Sequence, residues 1–136
     1  MSFSTIQKVR FDDVDGAGIV YYPQFYHLCH NTFEDFFDMH TNISYPELIT
    51  KRRKGFPTVS ILSQFTAPLR YGDTAIVMLS IQKIGNTSVE FHYQILRQQD
   101  QVECFKATIT TVFIDLDTQK PVEISDDLKL LFKKHL

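Results

Sequence analysis

A single stripe of apolar side chains along one long helix constrains the fold of this 136-residue chain more than any other feature. Over residues 23–39, apolar or small side chains recur at intervals of three and four, the period of an α-helix with one buried face. These residues are Phe25, Leu28, Cys29, Thr32, Phe33 and Phe36. Pro23 suits the first helical position, where a missing N–H costs no helical bond. Because Tyr26, His30 and Phe37 flank the stripe, the buried face is wide, as expected of a helix covered by a sheet.

Four later segments have the alternation of apolar and polar residues that is typical of half-buried strands. They cover residues 58–66, 74–83, 88–96 and 103–114. The short turns between them predict four hairpin-linked strands. Residues 5–11 form a further predicted strand, Ser44 and Glu47 predict the start of a short second helix, and Ser125 precedes a terminal helix. The sequence therefore predicts one α+β domain over residues 1–136, in which an antiparallel sheet of about five strands wraps around the long helix.

The bulk composition excludes several classes of protein. The formal net charge is only −2, so the chain lacks the basic surface that nucleic acid or an anionic membrane requires. No apolar run approaches the ~18 residues of a membrane span, and the N-terminus lacks the blocks of a signal peptide. Cys29 and Cys104 fit no metal-binding spacing, and we expect buried thiols in a reducing cytoplasm. The basic residues 51–54 are interpreted as a solvated helix end, with a phosphate-bearing ligand as the alternative.

The segment before the long helix carries most of the chemistry. Asp12, Asp13 and Asp15 stand next to Gly16 and Gly18, between a predicted strand and the helix. A carboxylate on a glycine turn that faces a helix N-terminus can place a base beside a reacting carbonyl, whose oxygen then meets free amide donors. The simpler interpretation is structural, because aspartates in turns often accept hydrogen bonds from nearby backbone amides. Asp12 and Asp13 are assigned a structural or substrate-orienting role.

Residues 13–25 read Asp-Val-Asp-Gly-Ala-Gly-Ile-Val-Tyr-Tyr-Pro-Gln-Phe, which resembles the N-terminal motif of the 4-hydroxybenzoyl-CoA thioesterase family. The likeness continues weakly through residues 68–73 and the late strands. The resemblance implies a hotdog fold and an acyl-CoA thioesterase that releases a free acid and CoA, with aryl-CoA substrates favoured. It implies no metal and no cofactor, since coenzyme A is part of the substrate. It also implies a homodimer or homotetramer with each site at a subunit interface.

The resemblance assigns roles to individual residues. Asp15 is the expected catalytic carboxylate, as general base or nucleophile, and the backbone N–H of Tyr22 is the expected donor to the thioester oxygen. The remaining substrate-binding residues are expected to be Gly16, Gly18, Ile19, Val20, Phe25 and His30. His30 enters through a narrower resemblance, to the 1,4-dihydroxy-2-naphthoyl-CoA hydrolases, which share a Cys-His pair on the helix. A half-buried histidine without a substrate role is the alternative.

The nucleotide end of the substrate is expected at the hairpin that holds Lys83, Asn86 and Thr87. The family has a basic run there, and this chain has only Lys83, so backbone amides, Arg70 or the basic residues 51–54 are alternatives.

Two other functions stay open. An enoyl-thioester hydratase would use an Asp-x4-His pair, a spacing that Asp35 and His40 have. A non-catalytic acyl-CoA or lipid binder would need the pocket without a working base, against which the intact Asp15 argues.

Overall fold

The long helix forms where the apolar stripe predicts it. The computed structural model describes residues 2–136, and its longest helix, α1, runs over Tyr22–His40. Phe36 and Phe37 of this helix are fully buried. Removing one such ring from water stabilises a fold by about 1.5–3 kcal/mol. The predicted helix is confirmed, with one further residue at each end.

Strands and two shorter helices make up the rest of the regular structure. The other elements are β1 (Phe3–Lys8), a 3-10 turn (Phe11–Asp13), α2 (Tyr45–Thr50), β2 (Lys54–Gly55), β3 (Thr58–Phe65), β4 (Thr74–Ile84), β5 (Ser88–Arg97), β6 (Glu103–Val112), β7 (Ile114–Asp115), β8 (Lys120–Pro121) and α3 (Asp126–Lys133). Five strands form one antiparallel sheet in the order β1-β4-β5-β6-β3, and β2, β7 and β8 form a small second sheet. Phe33 of α1 meets Phe91 of β5 edge to face at 5.3 Å between ring centroids. The predicted α+β architecture, a five-stranded sheet around one helix, is confirmed.

The position of β3 differs from the prediction of four hairpin-linked strands. β3 pairs with β6 at the edge of the sheet, whereas β4 lies between β1 and β5. The turn at residues 70–73 therefore closes no hairpin between β3 and β4. Its backbone bonds to the N-terminal segment instead: the Tyr71 N–H donates to the Gly18 carbonyl at 3.0 Å, and the Val9 N–H donates to the Asp73 carbonyl at 2.9 Å. These bonds hold residues 66–73 against the acidic turn.

The first strand also begins and ends earlier than predicted. β1 covers Phe3–Lys8 rather than residues 5–11, because the chain turns into the 3-10 segment. The carboxylate of buried Asp13 accepts a hydrogen bond from the Arg10 N–H at 2.8 Å, which fixes this turn. Asp13 therefore has a structural role.

The ends of the other elements shift for similar reasons. The predicted strand 103–114 divides into β6 and β7, since the N–H of Phe113 donates to the Thr87 carbonyl at 2.7 Å. The predicted start of α2 is confirmed, because the Ser44 hydroxyl accepts from the Glu47 N–H at 3.3 Å.

The basic residues 51–54 belong to the small sheet and its surroundings. Arg52 pairs with Asp127 at 3.6 Å, Arg53 with Asp117 at 3.1 Å, and Lys54 with Asp115 at 4.0 Å. These partners favour the structural interpretation of the basic cluster over a phosphate site.

The two cysteines are buried and free, and burial raises the pKa of both thiols. Within residues 2–136, no helix is long and apolar enough to cross a membrane.

Candidate active site

The acidic turn is a tight loop between β1 and α1, here called the acidic loop (residues 14–20). Val14 and Val20 form an antiparallel bridge that closes it. Inside the loop, the Asp15 N–H donates to the Ile19 carbonyl at 3.0 Å, and the Gly18 N–H donates to the Asp15 carbonyl at 2.9 Å. Gly18 has a φ of +77°, a left-handed conformation that favours glycine. The backbone of Asp15 is therefore held on both sides.

The Asp15 side chain borders a cavity of about 470 Å³. Phe11, Val14, Gly16, Gly18 and Tyr71 line the rest of this Asp15 cavity. One carboxylate oxygen, Oδ1, accepts a hydrogen bond from the Ala17 N–H at 2.9 Å. The structural interpretation, in which the aspartate accepts a hydrogen bond from a backbone amide of the turn, therefore holds for Oδ1. The same bond orients the side chain, and within the described residues Oδ2 has no hydrogen-bond partner.

The first turn of α1 presents one donor next to this loop. Neighbouring amides are used: the Val20 N–H donates to the Leu69 carbonyl at 2.7 Å, and the Gln24 N–H donates to the Tyr21 carbonyl at 2.8 Å. Pro23 has no N–H. Tyr22 occupies the first helical position, where an N–H has no acceptor within the helix. Among the described residues, the Tyr22 N–H that the sequence predicts as a donor therefore has no hydrogen-bond acceptor.

Three of the predicted substrate-binding residues and the predicted catalytic residue Tyr22 come together in a second cavity of about 370 Å³, here called the outer cavity. They are Ile19, Val20, Tyr22 and Phe25, and the cavity is completed by residues 65–68. Phe25 stacks on Phe105 at 5.1 Å and meets the edge of Phe65 at 5.6 Å. Sequence reasoning missed Phe65, because it reaches the helix only through the pairing of β3 with β6.

His30 lies away from these two cavities. It borders a third cavity of about 240 Å³, here called the inner cavity, under the middle of α1. Its Nε2 is 2.7 Å from a carboxylate oxygen of Glu34, and its ring stacks on Phe33 at 5.8 Å. The side chain is about half exposed in the single chain. The structure therefore separates His30 from Asp15 and places it beside a different pocket.

The residues predicted for the CoA end lie at the β4–β5 turn. The carbonyls of Asn86 and Thr87 accept hydrogen bonds from Ile124 and Phe113 at 2.8 and 2.7 Å, so this turn anchors the C-terminal segment. Lys83 is exposed. The acidic loop meets the chain just before β4 begins, and the 11 residues of that strand span ~33 Å. Within one chain, Lys83, Asn86 and Thr87 are therefore far from Asp15.

Arg97 holds the segment of residues 66–73 in place, and no sequence pattern pointed to this residue. Its Nη1 donates to the Pro68 carbonyl at 2.7 Å, and its Nε donates to Asp100 at 3.0 Å. The hydrogen bond from Arg97 lowers the pKa of Asp100. Arg97 thereby fixes residues 66–73, which bond to the acidic loop.

The Asp35 and His40 pair does not form a site. The two residues are five apart on α1, so their side chains point ~140° apart around the helix axis. The ring of His40 packs on Phe3 and Phe36 instead. Burial raises the pKa of Asp35, with further contributions from Asp38 and Glu34. Among the described residues, no group of three or more His, Cys, Asp or Glu side chains is placed to hold a metal.

Comparison with known proteins identifies the family to which this fold belongs. The family model described as the Thioesterase-like superfamily matches residues 9–132, and the chain belongs to this superfamily. The chain is 30% identical to a 1,4-dihydroxy-2-naphthoyl-CoA hydrolase of Nostoc punctiforme, over 94% of this chain and 84% of that protein.

Solved structures share the architecture. A 1,4-dihydroxy-2-naphthoyl-CoA thioesterase from Synechocystis has a TM-score of 0.89 at 25% identity, covering 98% of this chain and 96% of that one. A 4-hydroxybenzoyl-CoA thioesterase mutant, in complex with 4-hydroxybenzoyl-CoA, has a TM-score of 0.87 at 22% identity, covering 96% and 98%. The predicted hotdog fold and the predicted enzyme class, a thioester hydrolase, are confirmed. The residue roles and the aryl preference stay predictions.

Proposed function

We propose that this chain hydrolyses acyl-CoA thioesters to a free acid and CoA, with Asp15 as the catalytic carboxylate and an aromatic acyl group preferred. One observation carries the proposal. The Asp15 carboxylate borders a cavity at the same end of α1 as the Tyr22 N–H, and within residues 2–136 neither its Oδ2 nor that N–H has a hydrogen-bond partner.

The chemistry follows from these two groups. Asp15 either removes a proton from a water molecule that attacks the thioester carbon, or attacks that carbon itself to give an anhydride that water then hydrolyses. In both cases the carbonyl oxygen gains negative charge, which the Tyr22 N–H stabilises. Loss of one such donor typically costs about 3 kcal/mol in the transition state. The C–S bond breaks when this tetrahedral intermediate collapses, which gives the free acid directly in the first route and the anhydride in the second. CoA leaves as a thiolate and takes up the proton that the attacking water loses.

The walls of the outer cavity support the aryl preference. Tyr22 and Phe25 line one side, and Phe65 lines the other. Aromatic rings in such positions favour edge-to-face and offset contacts with a flat acyl group. The relatives named 1,4-dihydroxy-2-naphthoyl-CoA hydrolase and thioesterase favour a hydroxylated two-ring acyl group as the more specific candidate.

We further propose that the active form is a homodimer or homotetramer in which β3 forms a subunit interface. β3 is an edge strand, and Val59 and Leu62 on it are 61% and 74% exposed. A long apolar edge strand is a ready template for pairing with a second copy. Such pairing also covers the outer cavity, because Phe65 belongs to β3. Phosphate contacts from Lys83 then require the second copy, whereas Arg70, bridged to Ile19, lies beside the acidic loop of its own chain.

A panel of CoA esters tests the proposal. Release of CoA thiol is followed for benzoyl-CoA, hydroxynaphthoyl-CoA and butyryl-CoA, and we expect faster release from the aryl esters. Loss of the double-bond absorbance of crotonyl-CoA without thiol release would identify a hydratase. Calorimetric binding of these esters with no thiol release would identify a non-catalytic binder. Either result contradicts the proposed function.

A further inference from the structure

The groove between α1 and β3 holds two separate cavities. Phe25 and Phe65 line the outer cavity, near the start of α1. Cys29, Ile61 and Tyr93 line the inner cavity, one turn further along the helix. Their volumes are about 370 and 240 Å³. The groove thus has space beyond the outer cavity that a short acyl group leaves unused.

A pair of hydroxyl groups stands at the boundary of the inner cavity, which the Tyr26 side chain itself helps to line. The Tyr26 hydroxyl is 2.6 Å from the Ser63 hydroxyl, which joins α1 to β3 across the groove. Alternate residues of a strand share a face, so Ile61, Ser63 and Phe65 follow one another along the groove at ~6.6 Å intervals. Ser63 is the middle one. The hydrogen bond to Tyr26 therefore lies between Ile61, which borders the inner cavity, and Phe65, which borders the outer cavity.

The Tyr26 ring is held in this position by its neighbours. It meets Phe105 edge to face at 5.5 Å and Phe65 at 6.2 Å. The hydroxyl bond to Ser63 is a second, polar contact with β3 on the far side of the groove. Each of these two hydroxyls needs only a rotation about side-chain bonds to part from the other.

The inner cavity suits an uncharged, mainly apolar group. Phe33 and Ile109 contribute apolar surface, and Cys29 and Tyr93 contribute buried S–H and O–H groups. Burial raises the pKa of Cys29 and of Tyr93, so both side chains are neutral at physiological pH. A second aromatic ring or the end of an alkyl chain fits this lining.

We propose that Tyr26 and Ser63 form a gate that sets how far an acyl group extends along the groove. With the hydroxyl bond formed, the acyl group is confined to the outer cavity; with the bond broken, the inner cavity becomes available to it. The proposal rests on the proposed thioesterase function and adds the residues that determine acyl length.

Selectivity between short and long esters tests the gate. The ratio of kcat/KM for 2-naphthoyl-CoA and decanoyl-CoA to that for benzoyl-CoA is measured in the parent and in three variants. Tyr26→Ala joins the cavities, and we expect the ratio to rise by roughly tenfold or more, as is usual when a pocket gains room for apolar groups. Tyr26→Phe and Ser63→Ala remove only the hydroxyl bond and shift the ratio in the same direction by a smaller factor.

The matched control is Ser80→Ala, a serine on β4, away from the proposed interface strand, whose side chain points to the other face of the sheet. It leaves the ratio unchanged. If all folded variants keep the parent ratio within twofold, the gate is disproved. Should Tyr26→Ala fail to fold, the two hydroxyl variants decide by the same criterion.

Failure of the gate and failure of the function give different results. If the parent hydrolyses none of the esters, the proposed function is wrong, and calorimetry with 2-naphthoate and benzoate then decides the gate. A rise in the affinity for naphthoate relative to benzoate in Ser63→Ala supports it, and an unchanged ratio of affinities overturns it.

Discussion

At the scale of single residues, the geometry of the acidic loop depends on one glycine more than on the other. Gly18 has a φ of +77°, whereas Gly16 has no positive φ; at both positions no atom lies within 4 Å of where a Cβ would be. Gly18 also connects the loop to residues 66–73, through the bond from the Tyr71 N–H. The loop that holds Asp15 is therefore sensitive to side chains at one position and tolerant at its neighbour.

We expect Gly18→Ala to lower the free energy of unfolding by about 1–2 kcal/mol, because a side chain disfavours the left-handed conformation. Gly16→Ala, the matched substitution, is expected to change it by at most a few tenths of a kcal/mol. Urea denaturation of both variants checks this. Equal losses in the two variants would show that the backbone conformation of Gly18 is not what holds the loop.

Local sequence predicts the parts of the site that are local. Ile19, Val20, Tyr22 and Phe25 lie within seven residues of one another and share the outer cavity. Phe65 joins them only because β3 pairs with β6, a contact that no local pattern contains. His30 is expected beside the substrate with Asp15, but it borders a different cavity. The apolar stripe predicts which face of the helix is buried, and it does not predict which cavity each side chain borders.

At the scale of elements, the chain end that follows α3 docks onto α1 through a histidine. His135 is 4% exposed, and its ring meets Phe36 at 4.9 Å and His40 at 4.8 Å. Its Nδ1 has no hydrogen-bond partner among the described residues, and its backbone carbonyl accepts from the Ile81 N–H. Burial lowers the pKa of His135, and the nearby His40 adds to this effect.

We expect this contact to weaken in mild acid. Because the folded state lowers the pKa of His135, the unfolded chain binds the proton more readily below about pH 6.5, and unfolding becomes easier there. The contribution of His135 to stability is thus fully present above about pH 6.5 and is lost as the pH falls below it. Tm measured by circular dichroism at pH 7.5 and 5.5 should fall less in His135→Phe, which keeps a ring against Phe36. The same fall in parent and variant would exclude His135 as the cause.

At the scale of the whole molecule, the order of strands decides what the surface offers. Adjacent segments predict the hairpins β4–β5 and β5–β6 correctly, since short turns join them. Short turns do not reveal that the chain crosses from β3 at one edge to β4 in the interior of the sheet. That crossing leaves β3 exposed and brings residues 66–73 to the acidic loop. The proposed subunit interface and the proposed active site therefore depend on the same crossing of the chain.

If the proposed homo-oligomer pairs through β3, we expect the double substitution Val59→Lys with Leu62→Lys to give monomers with little activity, because charge on an edge strand opposes pairing. Ile6→Lys is the control, since Ile6 is an equally exposed residue on the opposite edge strand, β1. Light scattering and thiol release are measured together. A fully active monomer in either the parent or the double variant would show that one chain contains a complete site.

The most direct test of Asp15 as the catalytic carboxylate is the rate of thiol release from benzoyl-CoA by Asp15→Asn, relative to the parent. Asp38→Asn, an exposed carboxylate near the far end of α1, is the matched control. Because an amide can neither accept the proton of water nor attack the thioester, we predict a loss of roughly 100-fold or more for Asp15→Asn, with an unchanged Tm. Asp38→Asn is predicted to match the parent. Release of CoA by folded Asp15→Asn at the parental rate would contradict the central claim.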